Sequence, residues 1–382
     1  MKKFLLALCL CLFAFSGHAE DIDILSEEVL LGTDAPAASA NESSAEEVAA
    51  GEENSGSLFG FIIKPISDLF RSDKKVTEVA EGEKESPLDR SIRMANEGSL
   101  EDQMNLGYMY LYGANGVKTD LKKSFKYYSM AAEQNDPIAL NNLGSLYFSG
   151  IGTGKDINKS LMLFNKAAEL GNDNAALNLA FIYLKGGTKD PARNKKAFDL
   201  FTKAQKAGNK IAEFMLGYAY YKGFVVNPDY KQAFNLVRNA ANGKSQIDEA
   251  QLVLAGMYAE GLGTVQNYVN AVKSCRAAVN QGNMEAIVTL AGVYTEGRLT
   301  PPNLVLAHAL YNIAAAQNVP GAAEKRDELN SSMPLEALTN AQATAQGFVA
   351  SPSELTGYIR QTYGYNIRSY IDINMPEPKK EK

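Results

Sequence analysis

Apolar residues recur with a helical period along residues 138–173, and two such stretches are separated by a glycine-containing turn. Leu143 and Tyr147 lie four residues apart and therefore share one face of a first helix. Gly150 marks the turn, and a second apolar stripe follows over residues 160–168. Neither short helix can bury its apolar face alone. The pattern therefore predicts helical hairpins that stack side by side.

The same unit occurs six times, and each copy carries a leucine, a tyrosine four residues later and a glycine three residues after the tyrosine. Successive leucines are 36 to 38 residues apart, a spacing typical of helical-pair arrays. The sequence thus predicts an all-α fold, an α/α superhelical solenoid of about six helix-turn-helix repeats with capping helices. We call these leucines the repeat anchors: Leu106, Leu143, Leu179, Leu216, Leu254 and Leu290.

The second copy shows the repeat most completely, with Leu143-Gly144, Tyr147, Gly150, Gly152, Asp156, Lys159-Ser160, Phe164, Ala167-Ala168 and Gly171. This arrangement resembles the Sel1-like repeat family, a relative of the tetratricopeptide repeat, over roughly residues 86–347. The resemblance implies a right-handed superhelix and a scaffold that binds varied partners. Some exported members of that family join the helices of each repeat by a disulfide. This chain departs from that pattern, so we expect no β-lactam hydrolysis or binding of the kind known from the cysteine-rich branch.

Residues 1–19 form a separate unit with the features of a secretory signal peptide. Lys2 and Lys3 precede an apolar run over residues 4–15, and Gly17-His18-Ala19 provides a small-x-small cleavage signature. The cysteines of the apolar run lack the small preceding residue that a lipoprotein signal needs, so a lipoprotein is the minor alternative. We predict a periplasmic bacterial protein, with secretion as the alternative.

Residues 20–85 form an acidic arm that we expect to be mostly disordered. Residues 20–57 contain eleven acids and no Lys or Arg among small polar residues. The formal net charge is −6, so setting aside these acids and the two leader lysines leaves a body of about +3. The arm is interpreted as a solubilising spacer, or else as a contact for a basic partner. Its apolar island, residues 58–70, is expected to pack on the solenoid or on a partner.

The repeat solenoid is predicted over residues 86–347, beginning at the N-cap pair Ser86-Pro87. Residues 348–382 are assigned to a C-terminal extension. Within it, a capping-box pattern predicts a helix over residues 352–362. The alternation of apolar and polar residues over 365–373 favours an extended segment that packs on the last repeat or adds to a sheet edge of a partner.

The sequence offers little catalytic chemistry. After the signal peptide the chain holds one histidine, His308, and one cysteine, Cys275, which occupies a core slot of its repeat. We therefore predict no metal, no cofactor and no enzymatic activity. Lys and Arg are dispersed, which disfavours nucleic acid binding, and no later apolar run is long enough for a transmembrane span. A cell-wall hydrolase is the rival class, and it would require two buried carboxylates in one cleft.

The remaining candidate site is the concave groove that first helices line in tetratricopeptide arrays. Side chains two before, two after and five after each anchor should point into it, and aromatic groups there often anchor a bound peptide. Alternatively, these side chains pack between repeats or against residues 58–70. The predicted function is a non-catalytic scaffold or regulator for an envelope or host protein partner, with peptidoglycan or glycan binding as the alternative. The candidate groove residues are Phe148, Leu177, Phe181, Phe214, Tyr218 and Tyr221.

Overall fold

The computed structural model describes residues 85–185, 189–243 and 246–375, and all regular structure in these ranges is helical. The predicted signal peptide, the apolar island and all but the last residue of the acidic arm lie outside the described residues. In chain order the helices are α1 (Pro87–Asn96), α2 (Leu100–Tyr112), α3 (Leu121–Glu133), α4 (Pro137–Ser149), α5 (Ile157–Glu169), α6 (Asp173–Leu184), α7 (Pro191–Lys206), α8 (Lys210–Lys222), α9 (Tyr230–Ala241), α10 (Asp248–Glu260), α11 (Tyr268–Asn280), α12 (Met284–Glu296), α13 (Leu304–Ala316), α14 (Ala322–Asn330), α15 (Leu335–Gln346), α16 (Glu354–Tyr363) and α17 (Ser369–Asn374).

Six helix pairs, from α2–α3 to α12–α13, form the predicted repeats, and each helix packs on the next along the chain. The first helix of each pair is buried along much of its length, whereas the second keeps a solvent-facing side. Acidic N-caps start several second helices. Asp120, Asp156 and Asp229 each accept a backbone N–H three residues later, which satisfies a donor that the helix leaves unpaired. The predicted all-α solenoid is therefore confirmed.

The core runs through the repeats as apolar layers between successive helices. All six repeat anchors are buried. Gly144 follows one of them, and a Cβ added there would lie 3.0 Å from the ring of Phe164 on the second helix of the same repeat. The missing side chain thus allows α4 and α5 to approach closely.

Additional helices pack at both ends of the array. Helix α1 packs on α2, and the Ser86 side chain caps it by accepting the Asp89 N–H. At the other end, α14 and α15 both pack on α13. These contacts cover apolar faces that would otherwise meet water at the ends of the stack.

The C-terminal extension is helical throughout its regular part. Helix α16 begins after Ser353, whose side chain accepts the Thr356 N–H, so the predicted capping pattern does start a helix. The extended conformation predicted for residues 365–373 is wrong, because the Ile371 N–H donates to the Arg368 carbonyl and α17 forms there. Ile367 and Ile371 are both fully buried and lie four residues apart. The apolar spacing therefore served one helical face rather than a strand.

Candidate partner-binding groove

The first helices α6, α8, α10 and α12 line one face of the solenoid, which we call the groove. Residues 351–375, the C-terminal segment, return along the chain and lie on this face. The segment enters at the fifth repeat, where the Ser351 N–H donates to the Asn280 carbonyl and the Ser353 N–H to the Gln281 side chain, at 2.8 and 3.0 Å. It then reaches α6, where the Asn374 side chain donates to the Leu184 carbonyl at 2.8 Å. The groove is therefore occupied by the protein's own chain.

Of the predicted groove residues, Phe181 and Tyr218 make direct contacts with this segment. Leu177 and Phe181 on α6, and Phe214 and Tyr218 on α8, are all buried. Tyr221 is half-buried at the edge, and its ring stacks on Tyr218 with centroids 5.9 Å apart. On α4, the Phe148 ring lies 5.2 Å from the Lys185 ammonium. The alternative that these side chains pack against residues 58–70 is not tested, because those residues lie outside the described part of the chain.

Phe181 is the aromatic centre of the groove. The ring of Tyr363 from the C-terminal segment stacks on it with centroids 4.3 Å apart, and Tyr370 makes an edge contact at 5.0 Å. Phe201 on α7 closes the other side at 5.5 Å. Aromatic pairs in such geometries contribute beyond the area they bury. One side chain of the solenoid thus holds two aromatic rings of the segment.

Buried amides add a polar ladder next to the aromatic cluster. The Tyr363 hydroxyl donates to Asn178 Oδ1 at 2.9 Å, and Asn178 Nδ2 donates to Asn141 Oδ1 on the preceding repeat at 3.0 Å. All three side chains are buried. Buried polar groups require such partners. The ladder therefore fixes the hydroxyl of Tyr363, while Phe181 holds its ring.

An arginine of the segment lies between two carboxylates of the groove. Arg368 Nε donates to Glu249 on α10 at 2.9 Å, and Arg368 Nη2 donates to Glu285 on α12 at 2.5 Å. The backbone N–H of Ile367 also donates to Glu249, at 2.8 Å. Burial raises the pKa of Glu249 to about 7, while the Arg368 charge and the Ile367 N–H act in the opposite direction. The site is therefore an acidic pocket, buried at Glu249 and partly open at Glu285, that favours a cation.

A second ion pair and a tyrosine–aspartate contact complete the interface. Arg360 Nη2 lies 2.7 Å from Asp248 Oδ2 at the start of α10. Asp372 accepts from the Tyr218 hydroxyl at 2.9 Å and lies 3.1 Å from the Lys222 ammonium. Burial raises the pKa of Tyr218 well above its usual value, and hydrogen bonding to Asp372 acts in the same direction. The contacts between segment and groove thus combine aromatic, amide and ionic chemistry.

Sequence reasoning missed the acidic side of the groove. Asp248, Glu249 and Glu285 lie five or six residues before an anchor, at the starts of first helices, where acids are ordinary. The signal was present in the segment itself, since Arg360 and Arg368 supply the matching cations. These arginines can be paired with the acids of the groove only when it is known that residues more than eighty positions apart in the sequence are in contact.

The other candidate groups have structural surroundings. Cys275 is buried, and burial raises the pKa of its thiol to about 12. His308 Nε2 lies 2.8 Å from Asn330 Oδ1 on α14, within the end cap. Asp248 and Glu249 are neighbouring buried carboxylates, the feature that would favour a hydrolase, but an arginine of the segment engages each of them. Among the described residues there is no group of His, Cys, Asp and Glu side chains suited to a metal, and no helix long and apolar enough to cross a membrane.

The comparison with solved structures finds a repeat protein of similar fold. A Sel1 repeat protein from Oxalobacter formigenes is 28% identical, with a TM-score of 0.52 over 60% of this chain and 99% of that one. A protective antigen present in uropathogenic Escherichia coli strains, described as displaying an SLR fold, is 23% identical with a TM-score of 0.48. The match covers 72% of this chain and 66% of that antigen. The comparison with curated proteins gave no significant match.

A family model describes the repeats directly. The Sel1 repeat model matches six consecutive stretches, residues 100–136, 137–172, 173–209, 210–245, 248–283 and 285–319. These stretches coincide with the six helix pairs and together cover more than half of the chain. With its repeat anchors buried in successive layers and every pair matched by this model, the chain belongs to the Sel1 repeat family.

Proposed function

We propose that this protein is a non-catalytic scaffold of the bacterial envelope that binds a segment of a partner protein along the groove. Sel1-repeat proteins generally mediate protein–protein interactions. The observation that carries the proposal is the occupied groove, which already holds a polypeptide of about 25 residues through side-chain and backbone contacts. A groove that binds the C-terminal segment through these contacts offers the same shape and the same hydrogen-bond donors and acceptors to a peptide of a partner protein.

The groove has the properties of a recognition surface rather than of a continuous apolar core. Phe181 provides a buried aromatic anchor, the kind of residue that dominates binding energies at interfaces. Asn178, Glu249 and Tyr218 surround it with polar groups that accept or donate in fixed directions. Buried polar groups of this kind discriminate between ligands because an unmatched partner leaves them unsatisfied.

The proposed location in the envelope rests on the predicted signal peptide, residues 1–19. Export would place the groove in the periplasm, with secretion as the alternative, where envelope or host proteins are accessible. The solenoid repeats form without disulfides, because Cys275, the cysteine of the described residues, is a free buried thiol. The described part of the fold therefore does not depend on a disulfide, which an oxidising compartment would permit.

Site-specific photo-crosslinking tests the groove as the binding surface. A benzophenone amino acid in place of Tyr221, at the groove edge, should capture a partner protein when cells are irradiated. The matched control carries the same group in place of Tyr268, an exposed tyrosine on the second helix α11. We expect a protein adduct from position 221 and none of the same mass from position 268, followed by identification with mass spectrometry.

Three results would contradict the proposal. Adducts of equal yield from positions 221 and 268 would remove the groove as the binding face. The absence of any protein adduct from position 221 would argue against a protein partner. An adduct with muropeptide mass at position 221 would favour the glycan-binding alternative instead.

A further inference from the structure

We propose that the C-terminal segment is a built-in competitor of the partner, and that the partner inserts a segment carrying the same chemical determinants. The determinants are an aromatic residue for Phe181, a cation for Glu249 and Glu285, and an acid for Tyr218 and Lys222. The inference rests on the proposed function, since it names the kind of ligand that the groove takes and the way its access is controlled.

Glu249 and Glu285 form an acidic pocket in the groove. Both carboxylates face one guanidinium, and Glu249 is buried. A ligand that lacks a cation at this point would leave the Glu249 carboxylate uncompensated or force it to take up a proton, and either disfavours binding relative to a matched ion pair. The groove therefore favours an occupant that brings an arginine or a lysine, and Arg368 does so in the free protein.

A positive charge, the Lys222 ammonium, lies further along the groove. Lys222 and the hydroxyl of Tyr218 both contact Asp372, four residues after Arg368. A cation and an acid at this spacing lie on the same side of a helix. Together with Tyr370, which meets Phe181 between them, they define a short helical pattern of cation, aromatic and acid.

The C-terminal segment can leave the groove without unfolding the solenoid. Its helices have ten and six residues, too short to persist in water without the groove. The contact also leaves polar atoms unmatched, because Asn366 Oδ1, Asn374 Oδ1 and the facing Asn194 Oδ1 are buried without a hydrogen-bond partner among the described residues. A better-matched segment would satisfy these atoms and so gain over the internal one.

The tether makes the competition effective. A segment joined to the solenoid through the short loop between α15 and α16 acts at an effective concentration on the order of millimolar. A partner then binds only to the fraction of molecules with an open groove, and its apparent affinity falls by that fraction. Weakening the internal segment should therefore strengthen binding in trans, although the groove itself is unchanged.

A labelled peptide of residues 351–375 tests this competition on the full-length protein. Fluorescence anisotropy would compare the wild type, Arg368→Ala and the control Gln361→Ala, whose side chain is exposed in the same segment. The Arg368→Ala change removes the cation of the internal segment while Glu249 and Glu285 remain available. We expect this variant to bind the peptide at least about tenfold more tightly than the wild type, and Gln361→Ala to match the wild type.

A second peptide that carries Arg368→Ala separates specific recognition from general stickiness. It should bind the Arg368→Ala protein at least about tenfold more weakly than the natural peptide. Equal affinity of wild type and Arg368→Ala protein for the natural peptide would overturn the competitor role. Equal affinity of the variant protein for the two peptides would overturn the requirement for a cation.

Failure of the competitor role and failure of the proposed partner binding give different results. Increased crosslinking of the partner at position 221 in Arg368→Ala cells would support both. Peptide competition as expected, without any partner adduct, would leave the competitor role intact and remove the envelope partner. Equal partner yields in wild type and Arg368→Ala cells would overturn the competitor role and retain partner binding.

Discussion

Replacing Gly152 with alanine is expected to lower the melting temperature of the protein by about 10 °C. Gly152 has a φ of 70°, and a Cβ there would lie 2.1 Å from the backbone oxygen of Leu121, the first residue of α3. Left-handed strain and a clash with backbone that cannot rotate away together cost roughly 3 kcal/mol, and each kcal/mol shifts the midpoint of a 150–250-residue domain by about 2–4 °C. Thermal unfolding followed by circular dichroism at 222 nm measures the effect.

Two other glycines separate the causes of this loss. Gly154, in the same turn, has open space around its Cβ position and no left-handed φ, so Gly154→Ala should leave the midpoint nearly unchanged. Gly171 has a φ of 93° but open space, so Gly171→Ala should show the strain alone, about 1 kcal/mol. Should Gly152→Ala melt together with Gly154→Ala, the close contact between the first and second repeats would be refuted.

Replacing Tyr363 with alanine is expected to release the C-terminal segment while the repeats stay folded. The change removes the ring stacked on Phe181 and the hydroxyl bonded to Asn178. Truncating a buried aromatic residue typically costs about 3–5 kcal/mol, so the population of open segment should rise by about 100-fold or more. Limited trypsin digestion measures this rise as faster cleavage after Arg360 and Arg368.

Tyr365 provides a matched control two residues away. Its side chain is 76% exposed, so Tyr365→Ala removes the same atoms without opening the contact with the groove. We expect its cleavage rate to stay within about threefold of the wild type, as ordinary for a surface substitution. Equal rates for Tyr363→Ala and the wild type would mean that the stacked tyrosine does not hold the segment.

The solenoid could be predicted because its determinants are local. Each anchor, such as Leu143, recurs with its tyrosine and glycine within a few positions, and helices that follow this period bury the same face in every repeat. Helix starts were equally predictable, since Ser86 and Ser353 cap helices through hydrogen bonds to residues three positions later. Phe181 and Tyr218 were placed on the groove face by their spacing from the repeat anchors together with the analogy to tetratricopeptide arrays.

The occupant of the groove could not be predicted, because its contacts are long-range. Tyr363 and Asn178 are 185 positions apart, and Arg368 and Glu249 are 119 apart. Alternation over residues 365–373 matched a strand as well as one face of a short helix, and only the groove distinguishes them. A six-residue helix such as α17 has too little internal hydrogen bonding to be specified by its own sequence.

Hydrogen exchange of the C-terminal segment in the purified full-length protein tests the central claim most directly. The backbone amides of Ile367 and Ile371 should exchange at least about 100-fold more slowly than in a free peptide of residues 351–375, because Glu249 and the α17 backbone hold them in the groove. Exchange of both amides at the rate of the free peptide would show that the groove is empty in solution and that the C-terminal segment is not its ligand.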